Sequence, residues 1–479
     1  MRTLIGKEII ETVLDLRFVV AAVLCLVLIP LGTYVSVEDY EQRLAGYEQQ
    51  FQTYRQRHAT PKGPVVGKEK AQGFRPPSVL SIFASGLDSF VPDKVITSPS
   101  GLFRTVKEPE IDNPQSLIFG KADWLFIVTF IVSLVALIFT YNAISGEKET
   151  GTLRLMIANA IPRHRILLSK LVGKYIALLI PFGLSALIAL LVLEISPRVS
   201  ITSAPVGPAF LVILAVTLLF VLSMVSLGIC ISAFTRHSMG SMVLLFFVWA
   251  LFVLGVPKIC PMIAEAIYPI QGEAGISFAK RTAREDFARQ FEQIKRETID
   301  PEYRAEWNAA MRNPDPTFNA QPIRDKYAQR VGRLAEEYNK RIAEELERIE
   351  ENYQNKRNAQ SAIAMNLCRI SPVSCYAYAV AGLSGTGVAA PDDFVRNAQR
   401  FQEDVEDVYY DQISWGLGGQ KRAEGFNVFE PPAFPDMNYR YPTLAEALRR
   451  HGIDVVLLGF FNVLFGTLAF MHFNKYDVR

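Results

Sequence analysis

Glu147, Lys148 and Glu149 share one short polar stretch, residues 145–174, with Arg154, Arg163, Arg165, Lys170 and Lys174. Charges of both signs at this density, with no nucleophile beside a base, can pair with another surface but cannot break a bond. Elsewhere the chemistry is thinner. No Gly-x4-Gly-Lys-Ser/Thr loop occurs, so the chain lacks the usual cradle for a nucleotide's phosphates. Ser384-Gly-Thr-Gly387 is glycine-rich but follows no clear strand. His58, His164, His237, His451 and His472 are scattered without metal-ligand spacing. A carboxylate inside an apolar run would suggest an ion or proton relay, and only Glu194 comes close, at the outer end of run 175–193, where it reaches water. The net charge is +2, and no basic stripe with interleaved aromatics marks a nucleic-acid surface. The sequence therefore reads as a non-enzyme with no metal or cofactor of its own.

The elements that position the polar stretch are apolar. Half of the 479 residues are hydrophobic, and they cluster in uncharged runs at 18–37, 124–146, 175–193, 207–234, 238–257 and 455–473. Each is close to the roughly 20 residues a helix needs to span a bilayer. A charge at mid-membrane costs about 2.5–3.5 kcal/mol even on insertion scales, so six charge-free runs do not arise by accident. The expected fold is an all-α integral membrane protein with six spans. The stretch 145–174 becomes a short loop between the second and third spans, and its Lys and Arg place it in the cytoplasm. Both termini then lie inside as well, in agreement with Arg2, Lys7, Arg17, Arg236, Lys475 and Arg479. Residues 1–17 space Leu4, Ile9, Ile10, Val13 and Leu14 against Lys7, Glu8, Glu11 and Asp15, as an in-plane helix on the membrane surface would. The run that follows has no small-residue cleavage site and is not a removable signal. The expected organisation is helix 1–17, spans 18–37, 123–146, 171–195, 207–234, 238–259 and 453–473, loop 147–170, extracytoplasmic segments 38–122 and 260–452, and tail 474–479.

Within the loop, residues 152–160 favour a short helix with Leu153, Met156 and Ile157 on one side and Pro162 at its end. Outside the membrane, Tyr40, Leu44, Tyr47, Phe51 and Tyr54 recur every four and three residues, a coiled-coil seam continuing from the first span. Residues 79–90 read as a helix, either on the outer bilayer surface or in a core. Tyr327, Val331, Leu334, Tyr338, Ile342, Leu346, Ile349 and Tyr353 recur with a period close to eleven residues per three turns, the signature of a nearly straight helix. Phe287, Phe291 and Ile294 form a shorter seam upstream, and Asn313-Pro-Asp-Pro316 breaks the chain between them, which predicts an antiparallel helical hairpin. Cys25 and Cys230 fall within spans as small apolar packers. Cys368 and Cys375 flank Ser371-Pro372 and form a disulfide candidate in an oxidising compartment, with Cys260 as competitor for either.

Glu147-Lys-Glu-Thr-Gly-Thr-Leu153, then Ile161-Pro-Arg163 and Ile166-Leu-Leu-Ser-Lys170, together with six spans and an in-plane amino-terminal helix, resemble the permease subunits of type-two ATP-binding-cassette exporters. Ser371-Pro372, Ala381-Gly-Leu-Ser-Gly-Thr386, the aromatic run 401–410 and the closing 473–479 are similar to the branch associated with multicopper-enzyme maturation, which carries large outer insertions. The resemblance implies a coupling helix in loop 147–170 that docks on a separate ATPase subunit, where ATP and Mg are bound. Glu147, Glu149, Gly151, Thr152, Leu153, Arg154, Met156, Pro162, Arg163 and Arg165 are the expected coupling residues. Other expected partners are a second permease, identical or paralogous, membrane lipid and an extracytoplasmic protein, in the inner membrane of a bacterium. The spans at 124–146 and 238–257, with Trp124, Tyr141 and Trp249, are the expected path lining. The alternative is a mechanotransmitter that passes ATP-driven motion to its outer helices and moves no substrate.

Overall fold

The computed structural model describes residues 1–58, 71–97, 104–106, 121–158, 162–199, 206–270, 272–312, 320–418 and 435–475. They form two compact units, Met1–Val256 with Arg369–Arg479, and Pro257–Cys368. In chain order the helices are α1 (Arg2–Val13), α2 (Leu16–His58), α3 (Trp124–Thr150), α4 (Thr152–Ala158), α5 (Arg163–Ile195), α6 (Val206–Phe234) and α7 (Ser238–Ile267). They continue with α8 (Glu273–Ile294), α9 (Asp300–Arg312), α10 (Gln321–Cys368), α11 (Pro372–Leu383), α12 (Ala390–Gly418) and α13 (Leu444–Asn474).

Among the described residues, α2, α3, α5, α6, α7 and α13 are long and apolar enough to cross a membrane, and they coincide with the six uncharged runs. On α2, Ala21, Cys25, Ile29 and Thr33 are buried, whereas Val19, Val23, Val27 and Leu31 on the other side are about half exposed. That division is the one expected of a helix packed on one face and solvated by lipid on the other. Inside the first unit α13 packs along α6, α2 along α5, and α11 against both α13 and α6. α11 is too short to span, yet it is buried. Ser371 caps it by accepting from the Val373 N–H at 3.2 Å, Pro372 occupies the first turn, and Tyr376 stacks on Phe220 at 4.4 Å.

Helix dominates, as expected, but the segment between the first two spans also holds a small antiparallel sheet that the sequence reading lacked. Strands β1 (Ala71–Phe74), β2 (Lys94–Thr97) and β3 (Arg104–Val106) pair in the order β1-β2-β3, with Gly73 opposite Val95 and Val95 opposite Thr105. Ala71, Val91 and Val95 share a small core with Phe394, Ala398, Phe401 and Val405 of α12. α2 runs unbroken for 43 residues, about 65 Å at 1.5 Å per residue. The outer end of its aromatic seam meets a strand. Phe51 and Tyr54 pack edge-on against Phe74 of β1 at 6.2 and 5.6 Å, so the seam seats the sheet. Residues 79–90 are two 3-10 turns, Val79–Ile82 and Asp88–Phe90, and not one helix. Ile82 and Phe83 are buried in the core. The Ser384–Gly387 turn docks on this segment and is no phosphate loop: the Thr386 hydroxyl donates to the Ala84 carbonyl at 2.8 Å, and the Leu87 N–H donates to the Thr386 carbonyl at 2.8 Å.

The second unit is the expected antiparallel hairpin. α8 and α9, joined by a π turn at Lys295–Ile299, pack along α10. Phe287 and Phe291 meet Tyr338 at 6.3 and 5.8 Å, Tyr303 meets Tyr327 at 4.5 Å, and Lys280 pairs with Glu350 at 2.5 Å. Tyr338 and Leu346 are its buried seam residues. The Asn313–Pro316 break lies outside the described residues. None of the five cysteines is bonded to another in this structure. No bond joins Cys368 to Cys375, because Cys368 closes α10 while the Cys375 thiol, one turn into α11, donates to the Arg369 carbonyl at 3.4 Å.

Candidate functional site

Gly151 has φ +76° and open space where a Cβ would stand, so the left-handed backbone, not crowding, accounts for glycine here. The turn it makes sets α4 off from α3. Leu153 then points inward and is fully buried, with Met156 and Ile157 packed half-buried against the bundle core. Thr152, Arg154, Leu155 and Ala158 stay exposed, Leu155 to 68%. α4 is thus anchored by one side and bare on the other. Residues 159–160 of the predicted helix lie outside the described residues.

The flanking charges act inside the chain. Lys170 Nζ lies 2.6 Å from Glu147 Oε1 and 2.9 Å from Glu8 Oε1, a bridge between α3, α5 and α1 with the lysine almost wholly buried. One turn further along α5, Lys174 donates to the Thr12 hydroxyl at 3.0 Å. Gly173 lets the two helices approach, since a Cβ there would stand 2.6 Å from the Glu8 Cβ. Lys148 donates to the carbonyls of Ala233 and Thr235, the latter at 3.0 Å, and so covers the carboxyl end of α6. Glu149 accepts from the Ser238 N–H at 3.0 Å at the amino end of α7. Arg163 donates to the Phe473 carbonyl at 3.3 Å and to that of Asn474, at the carboxyl end of α13. Cations meet carboxyl ends and the anion meets an amino end, each as the helix dipole favours. Ser232 completes the set by accepting from the Ile144 and Ser145 N–H groups at 3.0 Å each.

The ten expected coupling residues therefore divide. Glu147, Glu149 and Arg163 are engaged within the chain, and Glu149 serves α7 instead of α4. Gly151 makes the turn, and Leu153 and Met156 anchor. Thr152, Arg154, Pro162 and Arg165 are exposed. Sequence reasoning missed Glu8, Thr12 and Leu155, and read Lys170 and Lys174 only as topology signals. The signal was present in Lys170-x-x-Gly-Lys174, which puts two cations and a gap on one helix face, opposite Glu8 and Thr12 four residues apart.

Two further features belong to the same unit. An apolar cavity of about 430 Å3 lies between α3 and α7, lined by Leu134, Leu137, Tyr141, Met239, Met242 and Phe246 among others. Trp124 does not line it: it is buried, and its Nε1 donates to Thr217 at 3.3 Å, while Trp249 Nε1 donates to Ser133 at 2.9 Å. Beside the sheet, Arg75 pairs with Asp88 at 2.6 Å and Arg43 of α2 pairs with the second Asp88 oxygen. Burial alone would raise the Asp88 carboxyl, but the two guanidinium groups outweigh it and hold it below the ordinary carboxylate range. Tyr441, which donates to the Pro76 carbonyl at 2.6 Å, is pushed well above the ordinary phenol range by burial. Among the described residues no three His, Cys, Asp or Glu gather as metal ligands.

The model of the ABC-2 family transporter proteins matches residues 2–402. A probable ABC transporter permease protein NosY of Stutzerimonas stutzeri is 48% identical over 71 residues, 14% of this chain and 26% of that protein. The NosY protein of Pseudomonas aeruginosa is 42% identical over 65 residues, 13% and 24% of the two chains. A probable multidrug ABC transporter permease YbhS of Escherichia coli is 27% identical over 114 residues, 24% and 28% of the two. The matched stretches span about a quarter of the length of these curated relatives, all of them named as permeases and none as an enzyme. The family match is of another extent: it begins in α1, takes in the loop with its clamped helix ends, and runs into α12, so the chain belongs to the ABC-2 family of transporter proteins.

Proposed function

We propose that the chain is the membrane-spanning permease of an ATP-driven exporter, working as a dimer with separate ATPase subunits that bind ATP and Mg. The observation that carries this reading is α4. A seven-residue helix fixed by Leu153 and left bare along Thr152, Arg154 and Leu155 is shaped to be gripped by another protein. An exposed arginine is a residue type on which protein interfaces concentrate their energy, and the bare Leu155 beside it adds apolar area for a partner to cover. Force applied to α4 reaches α1, α3 and α5 through Glu8, Lys170 and Glu147, and α6, α7 and α13 through Lys148, Glu149 and Arg163. The basic residues of this face support a location on the cytoplasmic side of a bacterial inner membrane, with both termini inside. Ile10, Leu14 and Leu16, strongly exposed around the end of α1, are offered to inner-leaflet lipid. The cavity between α3 and α7 belongs to the path, and its apolar lining suits an amphipathic, lipid-like or peptide cargo.

The test is co-purification of the permease and its ATPase after Leu155→Asp and Arg154→Glu. Loss of the ATPase from a permease that still unfolds at its normal temperature supports the reading. Undiminished capture, with unchanged ATP turnover after deletion of residues 152–158, overturns it, as does labelling of residues 150–165 from the outer medium.

One observation favours mechanotransmission as a second reading: α2 is continuous from its span to the sheet it carries, and a stiff helix transmits tilt. Removing whole turns from the α8–α10 hairpin separates the two. Cargo movement that survives such shortening excludes this second reading.

A further inference from the structure

Two buried cysteines meet in the unit Pro257–Cys368. Cys260 lies in the helical stretch Val256–Ile267, Cys368 is the last residue of α10, and their thiols are joined by a side-chain hydrogen bond. Helix register gives the same placement independently. Gln360 Nε2 donates to the Tyr268 carbonyl at 2.9 Å. Tyr268 stands eight residues after Cys260, and Gln360 eight before Cys368, so two antiparallel segments in contact at one pair bring the other to the same level. The register persists further along, where Lys280 meets Glu350. Cys375, the alternative partner, has its thiol turned to the Arg369 carbonyl. Cys260 is 8% exposed and Cys368 1%, so their neighbours hold both side chains in place.

We propose that Cys260 and Cys368 form a disulfide that staples the base of the helical hairpin. The proposal rests on the orientation given under Proposed function, which puts this unit in the oxidising outer compartment. The two thiols lose two protons and two electrons. The electrons pass to the disulfide of a thiol-oxidising protein, which leaves as a dithiol, and a mixed disulfide is the intermediate. The bond closes a loop of roughly a hundred residues, a length at which a cross-link restricts the unfolded chain most. The hairpin arms then start from a fixed root.

The experiment uses the full-length protein in its own membranes. Free thiols are blocked with iodoacetamide, the protein is digested without reductant, and linked peptides are read by mass spectrometry. In parallel, Glu344→Cys, on the exposed side of α10, is probed with an impermeant maleimide-polyethylene glycol on intact spheroplasts. A Cys260–Cys368 peptide pair, lost in Cys260→Ser and kept in Cys375→Ser, with residue 344 labelled from outside, is the expected result. Limited proteolysis of the hairpin should then accelerate several-fold on reduction, and to the same rate in Cys260→Ser without reductant. Both thiols recovered alkylated, or Cys368 linked to Cys375, while residue 344 is labelled from outside, overturns the disulfide and leaves the orientation standing. A residue 344 that labels only after the spheroplasts are broken overturns the orientation and the staple with it.

Discussion

Lys170 is the residue on which the loop face turns. It is buried between Glu8 and Glu147, so its truncation leaves two carboxylates facing each other without the cation that bridges them. Breaking a buried pair from one side costs about 3–5 kcal/mol, whereas an apolar replacement of the whole set is often neutral. Lys170→Ala should therefore lower the unfolding temperature in detergent by many degrees, and adding Glu8→Gln should restore part of the loss. An unchanged melting curve for Lys170→Ala would mean that the bridge is solvated. Gly173→Ala should act on the same contact from the other side, forcing α1 outward and exposing it to protease. Glu8 was hidden from sequence reasoning by the rule that polar faces look to water. Here α1 turns Glu8 and Thr12 to the bundle and leaves Ile10 and Leu14 exposed, an arrangement that the proposed seat of α1 against inner-leaflet lipid would favour. Asp88 gives a prediction in pH. Its carboxyl is held below its ordinary 3.8, so the stability it contributes is complete above that value and is lost as pH falls through the lower folded-state value. Asp88→Asn should flatten the acid limb of the melting temperature below about pH 3.8 and lower the melting temperature at neutral pH.

At the scale of elements, the spans and the hairpin were legible and the sheet was not. Charge-free runs and an eleven-residue seam are long patterns, which chance does not imitate, and each returned as the helix expected. Strands of three or four residues are shorter than any periodicity can resolve, and β1 to β3 are held by partners distant in sequence, notably Phe394 and Phe401 of α12. The seam on α2 was seen, but not that its outer end faces a sheet, since a row of Tyr and Phe can face a sheet as well as a helix. Phe74 is the point of contact, 5% exposed beneath Phe51 and Tyr54. Phe74→Ala should cost about 3–5 kcal/mol in local stability, as buried phenylalanine truncations do. Hydrogen exchange should show β1 and the end of α2 loosening together while the spans stay protected. If β1 alone exchanges faster, α2 does not depend on the sheet.

For the molecule as a whole, the question is whether the space between α3 and α7 is a path or merely a gap in lipid. α7 is poorly covered in a single chain: Met239, Val243, Phe246 and Phe247 are each more than half exposed, although Glu149 fixes the amino end of the helix. A second copy facing these residues would close the cavity into an enclosed route, and the pull of an ATPase on α4 would arrive at that wall through Glu149. Filling the cavity separates the alternatives. Met242→Trp adds bulk inside it, and Leu187→Trp adds the same bulk on an exposed side of α5. If cargo passes between α3 and α7, Met242→Trp should cut export about tenfold or more, equivalent to about 1.4 kcal/mol on the rate-limiting barrier, while ATP turnover continues. Leu187→Trp should leave both unchanged. Equal export by the two variants would place the path elsewhere, and a parallel fall in export and ATP turnover in Met242→Trp would show that the space serves the coupling movement and not the cargo.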